Sequence, residues 1–296
     1  MSTLSRRSVM ATALAAAASP ARAADIIPGD DMAALTKGEQ ALAKKQLAFI
    51  EQTQKDYFAR VAKLNGKANT LETKDIKIDT GIYRVDVARG PVVEKAGFFT
   101  DIVTAEMPPF LTAPKWNRYL EIDVHAKNAK TPFLHLTMTF QYMKDGGSSV
   151  GGWMDVLEGP KNPAEIDVIR ARMDAVMKTH GEDAKPYRDR VLRKREDNPY
   201  RRHPAGAGFT LLPPPERAIT EKTQAMVQDA FTTMLDAFLD LLEKQKDLPV
   251  TAEDIAAQEA MRKNWLEDQL FSDPFSGKLV PYSVWGLSNA PPTVKL

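Results

Sequence analysis

Cysteine is absent from all 296 residues. That absence removes disulfides, thiolate nucleophiles, iron–sulfur clusters and cysteine-ligated zinc together, so stability must come from packing. Histidine is scarce as well, with four in the chain. No apolar run reaches the ~20 residues that a membrane-spanning helix needs, so stable membrane insertion is not expected. The sequence contains no GxGxxG after a strand, no GxxxxGK[ST], no HExxH and no GxSxG. The nucleotide-binding, zincin and α/β-hydrolase readings therefore lack their residues.

What is present begins with an address. The opening MSTLSRRSVMATALAAAASPARA joins the pair Arg6 and Arg7 to an alanine-rich apolar segment and ends on Ala21-Arg22-Ala23. This is the pattern of a twin-arginine export signal over residues 1–23, which predicts a periplasmic protein and a single domain over 24–296. Removing it takes away Arg6, Arg7 and Arg22 and no acid, so the formal charge of +1 becomes −2. A nucleic-acid partner is not indicated.

The rest has ordinary globular composition, 43% hydrophobic and 27% charged, enough to bury a core. Leu42, Leu47, Ile50, Tyr57 and Val61 recur at helical spacing within 36–63. Short alternating runs follow and predict strands within 74–104 and at 118–126, 133–142 and 149–157, the last entered through the turn signal KDGGS. Helices are predicted at 163–179, 186–196, 218–245 and near 251–268, and a last strand at KLVPYSVWGL. The order of helix, strand run, helices predicts an α+β domain in which helices cover a broad antiparallel sheet. The basic run from Arg188 to Arg195, followed by Arg201 and Arg202, is either a solvated face or a receiver of carboxylates.

The stretch HAKNAKTPFLH places His125 and His135 ten residues apart. That gap matches neither the i, i+4 pair of a zinc helix nor a short knuckle, and a closed four-ligand site would need carboxylates or the distant His180 and His203. No metal site is expected. If the flanking strands pair as a hairpin, the two histidines lie near each other at the strand ends, with Asn128 in the turn and Pro132 opening the second strand. His135, between Leu134 and Leu136, faces away from both and is either a core histidine or a pocket one. Asp155, behind Gly151-Gly152-Trp153, is either a turn aspartate held by hydrogen bonds or a site acid.

The segment GPVVEKAGFFTDIV (90–103) resembles G-G-V-F-E-K-A-G-V-N-F-S of the oxygen-dependent coproporphyrinogen III oxidases. HAKNAKTPFLHLTMT is similar to that family's H-P-H-N-P-x-x-P-T-x-H-x-N-x-R, matching at His125, Asn128, Pro132 and His135. VGGWMDV resembles G-G-G-F-D-L, and HGEDAKPYRDR, PAGAGFTLL and GKLVPYSVWGL resemble three further segments in the family's order. The resemblance spans roughly residues 85 to 290. It implies a broad antiparallel sheet flanked by helices, a homodimer, and oxidative decarboxylation of the propionates of a tetrapyrrole with dioxygen as co-substrate and no metal or organic cofactor. It also implies Asp155 and His135 as catalytic groups. His125, Asn128, Thr137, Thr139, Gly151, Gly152 and Arg202 would contact substrate, with Thr137 and Thr139 standing where the family has Asn and Arg. A non-catalytic haem or porphyrin carrier using the same cleft is the alternative expectation.

Overall fold

A computed structural model describes residues 32–79, 81–103, 114–157, 159, 162–192, 203–211, 218–273 and 280–294. The export signal and Arg202 lie outside the described residues.

The first helix, α1 (Lys37–Asn65), starts where the sequence can satisfy its loose amides. Thr36 Oγ1 accepts from the Glu39 amide at 3.3 Å, and Glu39 Oε2 accepts from the Thr36 amide at 2.7 Å. Its chain then turns into a meander of antiparallel strands: β1 (Thr70–Ile78), β2 (Gly81–Arg89), β3 (Val93–Val103), β4 (Pro114–Ala126), β5 (Phe133–Met143), β6 (Ser148–Gly151) and β7 (Trp153–Leu157). Helices α2 (Pro163–Thr179) and α3 (Lys185–Leu192) follow, and a short β8 (Phe209–Thr210) closes the sheet beside β7. Helices α4 (Glu221–Gln245), α5 (Ala252–Phe271) and α6 (Tyr282–Ser288) complete the described chain.

The sheet has eight strands in the order β1-β2-β3-β4-β5-β7-β8, with β6 pairing the far half of β5. The sequence reading of an α+β protein with a broad antiparallel sheet and flanking helices holds. Both sheet faces are covered. On one, Phe98, Leu120, Ile122, Val124, Leu134, Leu136 and Met138 pack against α1 and α4, whose stripe Val227, Phe231, Met234, Phe238 and Leu242 is buried throughout. Each such side chain contributes about 1.5–3 kcal/mol of transfer free energy. On the other face, Trp265 of α5 meets Phe133 at 4.9 Å between ring centroids, and Val284 of α6 joins Tyr83, Val85 and Phe99.

One element departs from expectation. KLVPYSVWGL (278–287) was predicted as a strand, but within its described residues Pro281 precedes α6, and its carbonyl accepts from the amides of Val284 and Trp285 at 2.9 Å. Proline fixes φ near the helical value and donates nothing, so it opens a helix more readily than it continues a ladder. Val284, Trp285 and Ser288 then fall on the buried side at helical spacing. No described helix is long and apolar enough to cross a membrane.

Candidate functional site

The α6-facing side of the sheet carries an unusual row. In RYLEIDVHA the residues Leu120, Ile122 and Val124 enter the main core, so Tyr119, Glu121, Asp123 and His125 must project from the opposite face. That face is not solvated. Glu121, Asp123, His125, Lys95, Asp101 and His135 are all buried. Strand register sets them side by side: Asp123 lies between Gly97 of β3 and His135 of β5, while His135 in turn opposes Asp155 of β7.

At the centre, His135 Nδ1 is 3.0 Å from Asp123 Oδ1 and 3.7 Å from Glu121 Oε1. The Tyr119 hydroxyl donates to Glu121 Oε2 at 2.5 Å, and the Asn289 amide donates to Glu121 Oε1. Two carboxylates this close and this dry cannot both ionise freely. Burial first, then the charge of Asp123, hold the Glu121 carboxyl well above the usual range, so it keeps its proton. Burial likewise pushes Asp101 up to about 8, and Tyr119 stays a phenol because burial raises it well above its ordinary value. Trp265 lies over the His135 ring at 4.8 Å, with Trp153 at 6.4 Å.

The strands flanking the turn pair as the expected hairpin and put His125 and His135 on one face, but the two rings take different partners. His125 stacks on Phe133 at 4.3 Å, and its Nε2 lies 2.9 Å from the Asn289 carbonyl. That partner is an acceptor, so Nε2 carries the proton and Nδ1 does not. Burial holds this imidazole well below its ordinary pKa, so it is neutral. His125 therefore anchors the C-terminal segment. Lys95 does the same work, donating to the carbonyls of Gly286 at 3.2 Å and Ala290 at 2.6 Å.

Asp155, which the sequence leaves as either a turn aspartate or a site acid, is ringed by backbone amides. Its carboxylate accepts from the amides of Val156 (2.8 Å), Gly206 (2.9 Å), Ala207 and Gly208 (both 3.0 Å). It is wholly buried, and desolvation outweighs those four donors to raise it to about 6. This is the turn aspartate held by hydrogen bonds, shaping the loop that carries β8. Gly151 and Gly152 admit a close approach of backbone: a Cβ on Gly152 would sit 1.8 Å from the Thr137 carbonyl oxygen, and one on Gly151 2.6 Å from that of Leu211. Thr137 Oγ1 accepts from the Trp153 amide at 2.9 Å, across the break between β6 and β7. Asn128 ties the β4–β5 turn to the chain after α4, donating to the Leu248 carbonyl at 2.8 Å. Thr139 is half-buried, opposite Tyr119 and Gly151.

Of the residues singled out from sequence, His135 alone joins the ionisable centre. Glu121, Asp123, Tyr119 and Asn289 were missed. The period-two alternation of acidic and apolar residues in β4 was the available signal, and it reads equally as a solvated face. Compared with known proteins, the chain matches no family model and no curated protein.

Proposed function

We propose that the protein acts on a propionate-bearing tetrapyrrole by oxygen-dependent oxidative decarboxylation, at the ionisable face of its sheet. The observation that supports this most is the buried His135–Asp123 pair on that face. Of the six segments that resemble the coproporphyrinogen oxidases, four fall on β3, the β4–β5 hairpin, β7 and β8, neighbours in one sheet, and the other two run into α3 and α6. Each propionate would become vinyl, with carbon dioxide and hydrogen peroxide as the other products: one proton and one dioxygen are consumed, the Cα–carboxyl bond and one Cβ–H bond break, and that hydrogen with two electrons passes to oxygen.

That chemistry needs a base for the pyrrole N–H as the ring becomes electron rich. His135 takes this part, its ring oriented by Asp123, in place of Asp155 with its four amide donors. Trp153 is half-buried 6.4 Å from the His135 ring, and the half-buried Tyr119 and Thr139 lie further along the same face; a flat ring would lie along this row. A homodimer and a periplasmic location complete this reading.

The test is carbon dioxide release from coproporphyrinogen III with and without air. Oxygen-dependent release, reduced at least tenfold in His135→Gln, is expected; no release by the wild type in air rejects the enzymatic reading. The second reading, a haem or porphyrin carrier, is favoured by the α6 cover over the same face. It requires a shifted Soret band on titration with haemin or coproporphyrin without turnover.

A further inference from the structure

We propose that Glu121, Asp123 and His135, with the Asn289 side chain as a fourth donor, form a binding site for a divalent transition-metal ion. The three donor atoms, one from each residue, lie within 4.8 Å of one another, and all three residues are buried. Metal–ligand bonds of about 2.0–2.2 Å put neighbouring donors roughly 3.0–3.6 Å apart. The 3.0 Å and 3.7 Å separations of His135 Nδ1 from Asp123 Oδ1 and Glu121 Oε1 span that range. The donors are therefore already gathered around one point.

A second observation points to the same place. Asn289 is 1% exposed, its amide lies against Glu121 Oε1, and its Oδ1 has no hydrogen-bond partner. An orphaned buried acceptor costs about 1–3 kcal/mol. Half a turn about the Cβ–Cγ bond exchanges Oδ1 with Nδ2 and presents the oxygen to the centre. The supporting contacts are those a metal centre uses: the Tyr119 hydroxyl holds the other oxygen of Glu121 at 2.5 Å, and Trp265 and Trp153 shield the imidazole.

The donor set is two carboxylates, one imidazole and one amide oxygen, with no sulfur. It suits zinc, manganese or ferrous iron, and the buried position restricts exchange. The inference does not rest on the tetrapyrrole reading.

Its test uses no tetrapyrrole, so the two fail separately. The full chain is purified from cells grown with these metals and analysed by elemental mass spectrometry, and chelator-treated protein is titrated with cobalt(II). About one ion per chain is expected, with a cobalt ligand-field band that zinc displaces. Asp123→Asn and Glu121→Gln should lower the bound metal at least tenfold with unchanged circular dichroism. His180→Gln, whose side chain pairs with Asp229 away from these donors, should retain it. Wild-type protein with neither bound metal nor a cobalt band overturns the proposal. So does metal content unchanged in both carboxylate variants, the mark of an adventitious ion only.

Discussion

Asp155 and His135 face each other across β5 and β7, yet their surroundings give them opposite tasks. Asp155 meets four backbone amides, a set that positions a loop. Asp155→Asn would turn an NH2 toward amide donors and should destabilise the protein by about 1–3 kcal/mol, read from urea midpoints. The sign of its pH dependence follows from its raised value. Between about 4 and about 6 the folded state holds more of this proton than the unfolded chain, so this group makes stability fall as pH rises through that window. The Asn variant should lack that component; an unchanged pH profile would show that the carboxyl is not in this environment.

At the scale of elements, α6 decides what the ionisable face looks like. Gly97, opposite Asp123, has no side chain where the Ser288 carbonyl arrives: a Cβ there would lie 2.4 Å from that oxygen. Lys95 and His125 then grip the carbonyls of residues 286, 289 and 290. Burial lowers the Lys95 amine to about 7, whereas the unfolded chain keeps its proton to about 10.5. From pH 7 upward the unfolded state therefore binds more protons, and this group makes stability rise with pH by at most about 1.4 kcal/mol per unit. Denaturant titrations of wild type and Lys95→Met across that alkaline range should differ by this slope. Parallel profiles would mean that the ammonium is solvated and α6 is docked otherwise.

For the whole molecule, the sheet was legible because its strands alternate and its turns carry their own residues, as KDGGS does between β5 and β6. The helix at 218–245 was equally plain, and Val227, Phe231, Met234, Phe238 and Leu242, at helical spacing along it, are all buried. The C-terminal helix was not. KLVPYSVWGL has strand-forming residues throughout, and only Pro281, by opening a helical turn, and the covered face it lands on make it a helix. The site failed to show for a related reason. Alternating Tyr119, Glu121, Asp123 and His125 mark a face, but whether water or α6 covers that face depends on residues more than 150 positions away. Asp155 showed the converse: its glycine-rich context suggested a site, and the same glycines turn out to admit the Thr137 and Leu211 carbonyls.

That division of labour between neighbouring residues is open to one direct measurement: Soret titration with coproporphyrin of wild type, His135→Gln and Asp155→Asn, each paired with a melting curve. His135→Gln should weaken binding by tenfold or more with a melting temperature within a few degrees of wild type. Asp155→Asn should melt several degrees lower yet bind with near-normal affinity while folded. Binding lost in Asp155→Asn and kept in His135→Gln would contradict the account, as would a wild type that leaves the coproporphyrin spectrum unchanged.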